Sequence, residues 1–255
     1  MNLDAVIIVL REVLEAAVLA SLLLALAQRL SLGRTWFWCS LGIGGVLAWL
    51  YADAIGWVSE LWDYSGQEIC NAAMQIAIFC AFCFLLATLR LDARRLGSLS
   101  LASAVIIALA LVRELSEILL YLQSYAANEA NVLPVMLGSA IGFMTGVSVG
   151  VMLYFITLWA VDWQRAQVVI LWVLSVVVAG ILMQAVSLLM QVDRLPQTAA
   201  LWDSGALIDE RSTLGQLLYA LIGYEATPTI WHIGVYGGAL LVMLLLIQTS
   251  KRTVP

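Results

Sequence analysis

The chain has 255 residues, of which 63% are hydrophobic and only 11% charged, with a formal net charge of −5. An average soluble protein is roughly a quarter charged, so a mean hydropathy of +0.99 excludes secretion, a soluble enzyme core and nucleic-acid binding. What is left is an all-α polytopic membrane protein, a single domain built from apolar runs of about 20 residues, the length that spans a bilayer core.

Seven membrane-spanning helices are predicted, at residues 3–27, 36–58, 69–91, 99–123, 132–160, 167–191 and 230–249. The first lacks a basic leader and carries Arg11, Glu12 and Glu15 in its apolar stretch, which marks a mature helix rather than a cleavable signal peptide. Arg29 and Arg34 follow it; Gly42, Gly44 and Gly45 in the second run are expected to pack against a neighbour. Glu60, Asp63 and Glu68 lie between the second and third runs, and Cys80-Ala81-Phe82-Cys83 sits inside the third. Arg90, Arg94 and Arg95 precede the fourth, which contains Arg113, Glu114 and Glu117. Pro134 is expected to start the fifth helix, where its missing N–H is harmless. Behind it Gly138, Gly142, Gly146 and Gly150 recur every fourth residue, a groove that a neighbouring helix can approach closely.

After Arg165 and the sixth run comes a long connection, residues 192–229, whose stretch Thr213 to Ile222 has apolar residues at helical spacing. A short helix lying at the interface or dipping into the protein is expected there. The last run begins near His232, expected as an interfacial residue beside Trp231, has Gly234, Gly237 and Gly238 as further packing positions, and ends before Lys251 and Arg252. Tryptophans near the span ends fit the aromatic belt of a membrane protein. Basic residues thus follow the odd-numbered spans and acidic residues the even-numbered ones, so the positive-inside rule puts the N-terminus outside and the C-terminus in the cytoplasm.

The first and fourth runs share one pattern: Arg11-Glu12-Val13-Leu14-Glu15 and Arg113-Glu114-Leu115-Ser116-Glu117 are both R-E-x-x-E. At about 2.5 to 3.5 kcal/mol for each charge at the centre of a span, six lipid-facing charges are untenable, so they must face one another or a hydrated cavity. On a helix the two glutamates of each motif share a face, and each arginine can pair with the second glutamate four residues on. The motifs are separated by three spans, which suggests a 3+3 inverted repeat, residues 3–91 and 99–191, with the site at the repeat interface and the outer loop 192–229 and last helix 230–249 appended. Four carboxylates against two arginines leave an excess near −2 that a multivalent cation would relieve, and carboxylate oxygens suit hard ions. An ion-pair clamp between the two helices would need only two of the four acids.

These residues resemble the high-affinity iron permease family, the oxidase-dependent iron transporters of fungal plasma membranes and bacterial inner membranes. The resemblance extends to the last loop, in Leu201-Trp202-Asp203-Ser204, Ser212-Thr213-Leu214-Gly215, Leu221-Ile222-Gly223-Tyr224 and Pro228. It implies a transporter rather than an enzyme, with iron as its transported substrate and no permanently bound cofactor. It further implies Glu12, Glu15, Glu114 and Glu117 as metal ligands, and a separate extracytoplasmic ferroxidase or iron-delivery protein as partner. Arg11 and Arg113 are expected to support the glutamates by ion pairing, and Glu68, Asp203 and Asp209 to form an outer vestibule that concentrates cations. One departure is Asn71, where the family often carries a second acid after the Gln67-Glu68 pair. The alternatives are transport of another divalent metal such as lead or manganese, a proton-coupled exchanger using the same glutamates, and, remotely, a membrane thiol oxidoreductase using Cys80 and Cys83.

Overall fold

The computed structural model describes residues 3–91, 96–126, 129–159 and 163–250. Among them are eight helices and no strand: α1 (Leu3–Arg29), α2 (Thr35–Tyr64), α3 (Gly66–Leu91), α4 (Leu96–Ala126), α5 (Glu129–Trp159), α6 (Trp163–Gln191), α7 (Thr213–Ile222) and α8 (Ile230–Ser250). Six of these, α2 to α6 and α8, are long and apolar enough to cross a membrane; α1 is equally long but carries the charges of its motif. The chain is therefore a multi-pass helical membrane protein. Arg94, Arg95, Lys251 and Arg252, which enter the orientation argument, lie outside the described residues.

α1 and α4 lie side by side at the centre, with α5 along α1 and α2 along α4. α3 and α6 pack on one another, and α8 closes over both. The main core is made by α1, α3, α4, α6 and α8, through fully buried side chains such as Leu19, Leu22, Phe82, Ile106, Leu174 and Met243. α2 and α5 keep broad apolar faces open, with Trp38, Trp49, Trp57, Met144 and Phe155 about half exposed or more. In a soluble protein such a surface would aggregate; in this one it meets lipid.

The two flanking contacts are built alike. On α5, Gly138, Gly142, Gly146 and Gly150 are all buried. A Cβ on Gly142 would come within 2.5 Å of the Val6 carbonyl oxygen, and one on Gly146 or Gly150 would run into Val13 or Ala17. On α2 the buried stripe is Ser40, Gly44, Ala48 and Ala52, and Gly44 presses on Ala108 and Leu111 of α4. Small residues at every fourth position bring the backbones together where no hydrophobic effect drives helices to associate. The expected packing roles of Gly42, Gly45, Gly234, Gly237 and Gly238 are not found: a Cβ at any of them would meet nothing within 4 Å, because these glycines lie off the buried stripes.

Two helix ends also differ from expectation. α5 starts at Glu129, so Pro134 sits in its second turn rather than at its first residue and forgoes one backbone hydrogen bond. α2 runs past its apolar segment to Tyr64, breaking at Leu61, after which Trp62, Asp63 and Tyr64 adopt left-handed φ of 51°, 61° and 63°. This tight reversal leads straight into α3, and Gly66 is required there because any Cβ would strike the Val58 carbonyl.

The 192–229 connection is an ordered fold of its own. Leu201 N–H donates to the Pro228 carbonyl (2.9 Å) and Ser204 N–H to that of Ala226 (2.8 Å). Ser204 Oγ and Tyr224 OH share a 3.0 Å hydrogen bond, and Tyr224 OH also donates to the Ile208 carbonyl. α7 forms where the periodicity predicts it. Ser212 caps its start by accepting from Gly215 N–H at 3.0 Å, and Gly223, with φ of 69°, ends it in the left-handed cap that favours glycine. α7 packs on α6 and α1, with Gly223 against Gly180 of α6, so the helix dips into the protein.

Replacing Gly142 by Val should overpack the α1–α5 contact and lower stability by about 1–3 kcal/mol, whereas Gly237→Val, on an open face, should change little. Thermal denaturation in detergent measures both, and equal effects would refute the assigned contact.

Candidate functional site

The two motif helices bring their charges together in the middle of the bundle. Glu12 is 1% exposed, Glu15 4%, Arg113 6% and Glu114 3%, a concentration of charge that an apolar interior tolerates only through mutual pairing. Arg113 is the hub. Its Nη2 lies 2.8 Å from Glu15 Oε2 on α1 and 3.2 Å from Glu114 Oε1 on its own helix, while Nε stands 3.9 Å from Glu117 Oε1. Arg11, whose side chain is 31% exposed, pairs with its neighbour Glu12, with Nε donating to Oε1 at 2.8 Å.

The sequence spacing predicts pairing of each arginine with the second glutamate of its own motif. Arg113 keeps that pair with Glu117 at 3.9 Å but makes its closest one across the helix interface with Glu15 at 2.8 Å, and Arg11 pairs with the first glutamate instead of the second. For Arg113 the reason is orientation: with the motif faces turned toward each other, Glu15 of the opposite helix lies nearer to its guanidinium than Glu117 on the next turn of its own.

One carboxylate oxygen from each of Glu12, Glu15 and Glu114 can be chosen so that all three lie within 4.8 Å of one another, close enough to share a metal ion. Two oxygens of these residues, Glu12 Oε2 and Glu114 Oε2, are buried and accept no hydrogen bond. A buried acceptor without a donor is costly, so this arrangement suits a cation that would supply the missing charge. Glu117 stands at the flank, its side chain 31% exposed. Asn71, at the position where the family resemblance raised an acid, donates to Glu117 Oε1 at 3.4 Å and accepts from Tyr51 OH at 3.3 Å. It ties α3 and α2 to the fourth glutamate without adding charge.

Beside this cluster lies a polar link that the sequence reading missed. Gln75 of α3 donates to Gln184 of α6 at 3.0 Å, and Gln184 donates to the Tyr219 carbonyl of α7 at 3.2 Å. Polar residues in otherwise apolar spans are the signal that would have found Gln75 and Gln184.

The expected vestibule acids sit on two different elements, α3 and the 192–229 connection. Glu68 lies in the first turn of α3 and is half-buried. Asp203 is exposed and accepts from Gly205 N–H at 2.8 Å; Asp209 is exposed and accepts from Arg211 N–H at 2.9 Å, so both aspartates hold turns of the loop. The acids that the loop does bring together are Glu210 and Glu225, just before and just after α7. Glu210 accepts from Ala226 N–H, and burial, followed by the nearby Glu210, pushes the Glu225 carboxyl up to about 7.

His232 is 5% exposed rather than interfacial. Thr229 N–H donates to its Nδ1 at 3.1 Å, which leaves the ring proton on Nε2 facing Ser187 Oγ at 3.0 Å. It caps the start of α8 and ties it to α6. Cys80 is exposed and Cys83 half-buried, and both are free thiols.

No protein-family model, curated protein or solved structure matches this chain.

Two predictions follow from these contacts. Arg113→Met removes the hub and leaves buried carboxylates uncompensated, so it should destabilise by about 3–5 kcal/mol, far more than Arg11→Met at the half-open flank; melting curves of the two variants decide this. A carboxyl group whose ionisation is shifted up favours the folded state in its protonated form, so its contribution is present at low pH and lost as pH rises toward about 7. Glu225→Gln should therefore raise the melting temperature at pH 8 and leave it nearly unchanged at pH 5, and an equal gain at both would show that ionisation is not the cause.

Proposed function

We propose that this chain is a membrane permease that takes up iron through the carboxylate cluster between α1 and α4, as the resemblance to oxidase-dependent iron permeases implies. The observation that carries the reading is the trio of Glu12, Glu15 and Glu114, almost fully buried, with ligand oxygens inside a 4.8 Å circle and two oxygens left without donors. An ion-pair clamp would satisfy its acids; this cluster has more acid than its arginines cover. Oxygen donors favour a hard cation such as ferric or ferrous iron, with manganese or another divalent ion, lead included, as the nearest competitors.

In this reading α1 is the seventh span, its charges facing inward, with the N-terminus outside and the C-terminus in the cytoplasm of a plasma membrane, specifically a bacterial inner membrane. The inverted 3+3 repeat is supported by the exchange of partners: α5 of the second half lies along α1, α2 of the first along α4, and each contact uses a buried stripe of four small residues. A separate extracytoplasmic ferroxidase or iron-delivery protein would supply the ion. Glu68, with Asp203 and Asp209 in the last loop, would raise its local concentration at the outer mouth. Arg113 would limit repulsion among the acids between ions.

The test is uptake of iron by proteoliposomes under defined redox conditions. Glu12→Gln, Glu15→Gln and Glu114→Gln keep side-chain shape and remove charge, so each should cut the rate by about tenfold or more; Glu117→Gln, at the flank, should mainly raise the half-saturating concentration. Wild-type transport in all four would end the proposal. Uptake that follows a pH gradient without metal dependence would favour the proton-coupled exchanger.

A further inference from the structure

The cluster borders a cavity on the side away from Arg11 and Glu117, neither of which lines it. A cavity of about 390 Å³ runs from Glu12 and Glu114 along α1 toward its Arg29 end, between Phe37 and Leu41 of α2 and Val151 and Tyr154 of α5. Its α1 wall is a stripe of small residues, Ala16, Ala17 and Ala20, followed by Ser21 and Leu24. A second cavity of about 250 Å³ continues from Leu24 past Gln28, Ser31 and Arg34. Between the two, Tyr154 OH donates to Gln28 Oε1.

The cavity follows from an inequality between the motif helices. When the two R-E-x-x-E motifs are superposed, Ala16, Ala17 and Ala20 of α1 fall on Ile118, Leu119 and Leu122 of α4. On the α4 side Ile118 is buried with Val9 and Val13, where it also walls the cavity, and Tyr121 and Leu122 pack against them. On the α1 side, alanine leaves the space open. The unpartnered oxygens are on Glu12 and Glu114, the two acids that line the cavity.

We propose that this alanine-walled crevice is the route by which the cation leaves Glu12 and Glu114, with Leu24 and the Tyr154–Gln28 hydrogen bond as its gate. This rests on the cation-site reading above. Glu12 and Glu114 each carry a buried oxygen without a donor and each line the cavity, so an ion joining or leaving these two acids has the crevice beside it. Walls of Ala, Leu and Phe offer a departing cation no second ligand set, so release is not slowed by rebinding, and an apolar constriction closes such a path by excluding water. The first polar groups beyond it, Gln28 and Ser31, stand at the Arg29 end, which the charge distribution puts on the cytoplasmic side.

Ala20→Leu, which gives α1 the side chain that α4 has at the matching position, fills the crevice without touching the acids. It should leave equilibrium iron binding to the purified protein within about twofold and cut uptake into proteoliposomes by about tenfold or more. Unchanged uptake would overturn the route and leave a pocket for lipid chains; loss of binding in proportion to uptake would also overturn it, because the alanine would then be a prop for the carboxylates. An independent arm uses Ala20→Cys with Cys39, Cys70, Cys80 and Cys83 replaced by Ala. A membrane-impermeant thiol reagent applied from the Arg29 side should modify it, and should not modify Leu23→Cys, which faces the core at 1% exposure; an inert Ala20→Cys refutes the route. The labelling arm needs no iron, so labelling of the Ala20→Cys variant together with no iron uptake by the wild-type protein would sink the iron reading alone.

Discussion

Placing six charged side chains at the centre of an apolar bundle is the constraint from which the rest of this protein follows. A carboxylate facing lipid is untenable, so α1 and α4 must turn their motif faces together, and this decides which helices lie at the centre and which outside. With the motifs engaged, the opposite faces of α1 and α4 are left for α5 and α2. There the stripe from Gly138 to Gly150, and the one from Ser40 to Ala52, let the flanking helices come close enough for backbone and side-chain dispersion to hold them.

Arg113 is what makes the arrangement tolerable. One guanidinium bonds a carboxylate from each motif helix and approaches a third, and its planar fork of donors suits that task better than the point charge of a lysine would. Arg11 takes the outlying Glu12 oxygen and stays near the surface. The pairing is incomplete: Glu12 Oε2 and Glu114 Oε2 are buried without a donor, the costly feature on which the proposed cation site rests.

The outer loop shows how the remaining signature residues act. Ser204, Ser212, Gly215, Gly223, Tyr224 and Pro228 each make a turn, a cap or a close contact that folds residues 192–229 over the bundle. They fold the connection and do not themselves bear charge. α7, held by Gly223 on Gly180 and by Gln184 on its last turn, is the part of this loop that reaches deepest.

Much of this was legible in one dimension, because lipid leaves few options: apolar length determines helices, charge inside a span demands a partner, and capping residues fix the limits of α7. The seven helix runs, the two motifs as one centre and the glycine groove on α5 all follow from those rules. Which arginine holds which glutamate did not, because it depends on how far each helix rotates about its axis, a quantity set by packing on several neighbours at once. The same holds for the idle glycines at 42, 45, 234, 237 and 238, whose composition is that of the α5 groove but which face outward. His232 reads as interfacial from its place beside Trp231, yet it is buried because Ser187 on α6 and the Thr229 backbone lie across from it. The crevice is of the same kind: alanines at 16, 17 and 20 are unremarked in the sequence, and only the placement of α2, α4 and α5 around them turns them into an opening.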